Sequence, residues 1–254
     1  MVMESQLQNN VISAALELRS KQKAFNLENP LKPGYMGLHQ TMLAEERAFD
    51  CFLNCLQMAK GNVEMITIPV FEHLMIDIET LGTDSNSVIL SLAAVEFDIA
   101  TGKTGASFYK RVNLQSALDA GLKVSASTIK FWFEQSEAAR KDLFAEVEAL
   151  EDVLVAFTLF ANRGDVKRFV WGNSARFDLG ILENAYKSFS IRVPWIHWNE
   201  RDVRTLASLQ PETRKEMPFT GTKHNPLDDC FHQIKYCSAI WNSVVNNEKG
   251  KSDE

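Results

Sequence analysis

The sequence predicts an α/β domain, a mixed five-stranded sheet flanked by helices, preceded by a helical extension. Three observations lead to this reading. Three strand-like runs follow one another between residues 71 and 112, joined by turn residues. Two further runs, at 168–171 and within 193–202, are each succeeded by a helical pattern, and strand-then-helix alternation adds strands in parallel. Residues 1–62 hold only helical patterns.

Taken in order, the extension reads as two amphipathic helices. Leu7, Val11, Ala14 or Ala15 and Leu18 share one face of the first, and Leu38, Met42, Phe49, Phe52, Leu53 and Leu56 one face of the second. Asn29-Pro30-Leu31-Lys32-Pro33-Gly34 breaks the chain between them. Two helices bury too little apolar surface to stand alone, so this unit, residues 1–65, is expected to pack on the main body, a second copy or a protein partner. Lys60-Gly61-Asn62 marks the boundary, and the main domain is assigned to 66–246. Its first strand, 71–79, is an apolar run with an acidic end. Runs 87–98 and 106–112 extend it into a meander through the turn Ala100-Thr101-Gly102-Lys103-Thr104-Gly105. Helices are predicted at 127–134, 136–143 and 147–162. The brief strand 168–171, closed by Gly172, leads to a helix at 177–188, and a strand within 193–202 leads to one at 203–209. The last helix, 226–245, is announced by Asn225 at its N-cap and Pro226 at its first position. Residues 247–254 are a polar tail, expected to be disordered.

Composition sets the bounds. With 254 residues and 45% hydrophobic content, the chain can bury one sizeable core. Its apolar runs fall short of the roughly 20 residues a membrane-spanning helix needs, and its N-terminus lacks the basic, apolar, small-residue order of a secretory signal. A cytoplasmic protein without a membrane is the resulting expectation. Cys51, Cys55, Cys230 and Cys237 show no C-x-x-C spacing and read as free buried thiols. A net charge of −6 argues against coating nucleic acid by bulk electrostatics. It leaves room for a local basic rim, for which Arg176, Arg201, Arg204, Arg214, Lys215 and Lys223 are the candidates.

The acids of the first strand demand a reason. Asp77 and Glu79 alternate with Ile78, so they share a face about 7 Å apart at a rise of roughly 3.3 Å per residue. They repel unless a divalent cation with a taste for hard oxygen ligands lies between them. Alone, such a pair reads as a solvated strand end. Asp178 follows the turn after the fourth strand, where sites of open α/β sheets gather, although alone it reads as an acid favoured by a helix N-terminus. His224 precedes the last helix. With Asn225 as N-cap, Asp228 and Asp229 point in directions about 100° apart. Asp228 is assigned to capping, reaching back toward the cap, and Asp229 to the site.

In order, D-x-E at Asp77 and Glu79, N-x-x-x-F-D from Asn173 to Asp178 and H-x-x-x-x-D from His224 to Asp229 resemble the three motifs of the DnaQ-like 3′-to-5′ exonucleases, in their histidine-bearing DEDDh group. The resemblance covers about residues 72–245. Residues 128–136, followed by Ala138-Ala139-Arg140, and Arg201-Asp202-Val203-Arg204-Thr205 look most like the phage and prophage branch. It implies an RNase H-like fold and removal of nucleotides from the 3′ end of single-stranded DNA or RNA. It further implies two Mg²⁺ or Mn²⁺ ions per site, held by Asp77, Glu79, Asp178 and Asp229, with His224 as general base. Asp77 would bridge the ions, Glu79 and Asp229 would complete one, and Asp178 would serve the other. Thr80, Leu81 and Gly82 are placed by the resemblance near the terminal nucleotide, with Asn173 and Phe177 close by; Leu81 and Phe177 read equally well as core. Trp132 and Phe133 are candidates for stacking on a base, with at least one of them assigned to the core. Asp202, outside the motifs, is read as the cap of helix 203–209. Related enzymes are often dimers. Two competing readings are a proofreading, repair or RNA-processing subunit that acts mainly by docking a partner through residues 1–65 and a nucleic-acid-binding relative without catalysis. No residue selects DNA over RNA.

Overall fold

The structure, a computed structural model, describes residues 69–143 and 146–249. The predicted helix pair at 1–65 and the end of the polar tail lie outside the described residues, as do Cys51 and Cys55.

Strands β1 (His73–Thr80), β2 (Ile89–Phe97) and β3 (Thr104–Val112) form the predicted antiparallel meander. Helices α1 (Leu114–Asp119), α2 (Ala126–Phe133) and α3 (Glu137–Asp142) follow, then β4 (Val147–Glu148) and α4 (Leu150–Ala161). Next come β5 (Phe169–Gly172), α5 (Ala175–Ser188), β6 (Glu200–Asp202), α6 (Val203–Ala207), α7 (Pro211–Glu216) and α8 (Pro226–Lys249). The strand order is β4-β3-β2-β1-β5-β6, with β5 added parallel to β1 and β6 parallel to β5. This is the mixed, helix-flanked sheet of the RNase H-like expectation, with six strands rather than five.

The extra strand comes from residues assigned to the start of a helix. Val147 and Glu148 pair in parallel with Arg111 and Val112, and Asn113 N–H donates to the Glu148 carbonyl at 2.7 Å. The helix begins only at Leu150, whose N–H is capped by Ser116 Oγ at 2.9 Å, a partner remote in sequence. Two helices went unpredicted. Asn113 caps α1 by accepting from Ser116 N–H, and Pro211 opens α7, so each carried a local start signal. The strand expected within 193–202 is confined to Glu200–Asp202, after a 3₁₀ turn at His197–Asn199. Helix α8 runs past Val245 into the stretch read as tail.

Alternation along the central strands divides the apolar side chains between two layers. Leu74, Ile76 and Ile78 pack with Val153, Leu154 and Phe157 of α4 and Ile181, Leu182 and Tyr186 of α5. Met75, Ala93 and Val95 pack on the other face with Val203 of α6 and Cys230, Ile234, Cys237 and Ile240 of α8. Cys230 and Cys237 are buried free thiols, as expected. Every residue of β2 is buried, which explains its almost continuous apolar run. A fully buried acid interrupts this run: Glu96 on β2 accepts from Arg168 at 2.8 Å and Arg163 at 2.6 Å. Arg168 also donates to the carbonyls of Phe71, Ala161 and Arg163, tying the start of β5 to the end of β2.

Candidate active site

The parity that sends Met75 toward α8 sends Asp77 and Glu79 there too. Strand β1 pairs with β5 only as far as Ile76 opposite Gly172, so both acids stand beyond the end of β5. The space opened there is entered by the first turn of α5. Asp178 Oδ2 accepts from Ser174 N–H at 3.0 Å, closing the turn. A Cβ on Gly172 would lie 3.0 Å from Asp178 Cβ and 3.1 Å from its Oδ2, so a residue without one lets the acid fold back over the strand end. Asp178 is only 3% exposed. Asp202 is a cap, as predicted: it accepts from Thr205 N–H at 2.8 Å and, through its other oxygen, from Ala175 N–H at 2.9 Å.

Helix α8 supplies the rest. Asn225 Oδ1 accepts from the N–H groups of Leu227 and Asp228, the predicted N-cap. Asp229 turns inward, and its Oδ2 accepts from His224 N–H at 3.1 Å. One oxygen from each of Asp77, Glu79 and Asp229 falls within 4.8 Å of the others. Asp228 departs from its expected role. It accepts from Thr222 N–H at 2.8 Å rather than reaching back to the cap, whose N–H is taken by the Thr222 carbonyl. Gly221, at φ 110°, makes this possible, since a Cβ there would meet the Asp228 carboxyl carbon at 2.4 Å.

Gln233 was not foreseen. It lies one helical turn beyond Asp229, is 4% exposed, and donates from Nε2 to Asp77 Oδ1 at 2.8 Å. Its Oε1 is buried without a partner among the described residues. The available signal was a polar residue four positions after an inward acid, on a face otherwise made of Cys230, Ile234 and Cys237.

Burial and crowding govern the charge state of the cluster. Burial, then the charges of Asp178, Glu79 and Asp229, push Asp77 well above the usual carboxylate range, with the Gln233 bond pulling against them. Burial followed by Asp229 and Asp178 does the same to Glu79. Asp178 is raised to about 7 by burial, against the backbone amides of Ser174 and Ile78. Asp229 is raised to about 6, again chiefly by burial. Four acids that resist ionisation together are a site in want of positive charge. Their all-carboxylate donor set fits a hard divalent cation such as Mg²⁺ or Mn²⁺.

His224 sits on the rim with a left-handed φ of 63°, uncommon outside glycine. Its backbone, not its ring, bonds Asp229. The imidazole stands perpendicular to Phe131 at 5.2 Å between ring centroids, with Trp132 at 6.1 Å. Burial and the neighbouring Lys223 lower its pKa below the ordinary 6.5. Trp132 belongs to the core and donates from Nε1 to the Thr80 carbonyl at 2.8 Å, whereas Phe133 is 73% exposed. Thr80 is buried, with Oγ1 donating to the Gly82 carbonyl at 2.6 Å. Leu81 packs in the core under the site, and Phe177 is half-buried against the same core. Asn173 Oδ1 is buried with no partner among the described residues. The structure thus brings Asp77, Glu79, Asp178 and Asp229 together with His224 at their edge, while the side chains of Leu81 and Trp132 serve packing.

Comparison with known proteins yields three findings. The family model described as the 3′-5′ exoribonuclease Rv2179c-like domain matches residues 72–241. The chain is 25% identical over 215 residues to the exodeoxyribonuclease of Enterobacteria phage T4, covering 71% of this chain and 93% of the phage protein. Among solved structures it is similar to E. coli Exonuclease I in complex with a dA16 oligonucleotide, at 16% identity and a TM-score of 0.49. That likeness covers 66% of this chain, which spans only 40% of the Exonuclease I chain. The nuclease domain of 3′hExo, a DEDDh family member bound to rAMP, is similar at 13% identity and a TM-score of 0.48, covering 68% of this chain and 93% of that one.

Proposed function

Because the chain belongs to the 3′-5′ exoribonuclease Rv2179c-like domain family, we propose that it hydrolyses the terminal phosphodiester bond at the 3′ end of single-stranded nucleic acid. The observation that carries this reading is the convergence of Asp77, Glu79 and Asp229 oxygens within 4.8 Å. Asp178 stands close enough for its charge to rank second among the causes that raise Asp77.

Asp77 feels the charges of the other three acids and would be a ligand to both of two ions, Mg²⁺ or Mn²⁺. Glu79 and Asp229 would complete one ion's set, and Asp178 would serve the second. When bound, such ions neutralise charge on the phosphoryl oxygens and stabilise the departing 3′ oxygen. His224 takes the proton of the attacking water. Its lowered pKa keeps the imidazole unprotonated at neutral pH, and its freedom from the acid cluster leaves the ring available as a base. The backbone around Thr80 and Gly82, with Asn173 and Phe177 across the mouth, would hold the terminal nucleotide, and the exposed Phe133 offers a stacking surface. The family description names a ribonuclease and the phage relative a deoxyribonuclease, so both sugars are within the proposal.

Digestion of 3′-labelled and 5′-labelled DNA and RNA oligonucleotides with each metal tests this. Stepwise shortening from the 3′ end, dependent on Mg²⁺ or Mn²⁺ and abolished by Asp77→Asn, is the expected result. Binding without cleavage, or cleavage that survives the substitution, would overturn it.

A further inference from the structure

A cleft of about 490 Å³ opens between α6 and α7, lined by Arg204, Ala207, Ser208, Pro211, Arg214 and Lys215. Its lining holds three cations and no carboxylate, in a chain whose net charge is −6. Among the described residues, neither Arg204 nor Arg214 has a carboxylate within 4.0 Å. Lys215 is paired with Glu212 at 2.8 Å, but both side chains are 67% exposed, so the contact is screened and readily exchanged. Arg214 lies over the ring of Tyr236, 6.0 Å from its centroid, which supports the guanidinium from α8. Two arginines without a carboxylate in direct contact, Arg204 attracted only at longer range by Asp178 and Asp202, stand over an apolar floor of Ala207 and Pro211 and form a ready site for an oxyanion; the planar fork of each guanidinium suits phosphate oxygens.

The position of the cleft says which phosphate. Helix α6 begins directly after its cap, Asp202, and Arg204 is its second residue. That acid bonds Ala175 at the start of α5, one turn before Asp178. The Arg204 end of the cleft therefore opens beside the acid cluster, and the charge of Arg204 is felt at Asp178. The Arg214 and Lys215 end leads away from it along α7. We propose that the α6–α7 cleft is a phosphodiester groove that holds the backbone of the substrate strand on the 5′ side of the terminal nucleotide. Its substrate class rests on the nuclease reading above. The groove makes the enzyme favour longer strands through tighter binding rather than faster chemistry.

The test pairs length with charge reversal, using Arg214→Glu/Lys215→Glu and the milder Arg214→Gln/Lys215→Gln as a check against misfolding. KM is measured for a dinucleotide and a dodecanucleotide, and the Kd of the dodecanucleotide is measured by fluorescence anisotropy in excess chelator. The wild type is expected to show a lower KM for the longer substrate, and the Glu variant to lose that advantage. In chelator its Kd should rise about tenfold, with the salt dependence reduced by about one unit of slope per lost phosphate contact. Variants that keep the wild-type KM ratio and Kd would overturn the groove. Weakened binding by the variants while the wild type cleaves nothing would uphold the groove and overturn the nuclease reading.

Discussion

At the scale of single residues, the site separates the acids that would hold a metal from the groups that would manage them. His224 stands beside the acids without joining them, so removing its ring should cost turnover and spare the cation. We expect His224→Ala to lower kcat by roughly 10²–10⁴-fold, with Mn²⁺ affinity close to wild type by calorimetry. Its pKa lies below 6.5, so the acid limb of kcat against pH should fall below that value in the wild type and vanish in the variant. Gln233 is the opposite case, since it is buried and bonds Asp77. Gln233→Met keeps the volume, removes the 2.8 Å bond and should weaken Mn²⁺ binding by roughly 10–100-fold. Unchanged affinity with only a lowered Tm would mark the glutamine as packing. The contrast also shows what the sequence could reveal about residues. Asp77, Glu79, Asp178 and Asp229 were legible because acids on apolar strands and helix starts break a local rule. Gln233 breaks none that is visible without knowing that its helix face meets β1, and the same dependence on tertiary contact left Asp228 with the wrong partner.

At the scale of elements, the mouth of the sheet is fixed by where strands stop. Because β5 ends opposite Ile76, the acids of β1 project past it, and α5 and α8 converge on the gap. The meander, β5 with α5, and the capped α8 were all readable from period and turn chemistry, which act locally. Strand β4 was not, since two residues carry no period and their pairing with β3 is set by distant partners such as Ser116. Nor did pattern expose the Glu96–Arg168 tie between β2 and β5. Side-chain exposures of 0% and 2% make that pair expensive to break on one side. Glu96→Ala should destabilise the domain by about 3–5 kcal/mol in urea unfolding, because it leaves Arg168 buried without its anion. A loss below about 1 kcal/mol would show that water or another carboxylate reaches the arginine.

At the scale of the whole molecule, the acid cluster makes the stability of the metal-free protein depend on pH. Asp178 and Asp229 have pKa values of about 7 and about 6 in the fold against an ordinary 3.8, so the folded state holds protons that the unfolded chain releases. Stability from these groups is therefore full below the ordinary carboxylate range and is lost as pH rises through about 6 and then about 7. In chelator, Tm should fall by about 5–10 °C between pH 5.5 and 8, and millimolar Mg²⁺ or Mn²⁺ should recover it at the upper end. A Tm that is flat or rising with pH, and indifferent to cation, would mean that the acids do not share one buried site.

The bond between Gln233 and Asp77 joins positions 156 residues apart. During synthesis, β1 and its neighbours leave the ribosome long before α8 exists, and the early acids have nothing to complete them. A nascent chain thus carries half of the acid cluster, and the cluster is complete only once translation has passed Gln233.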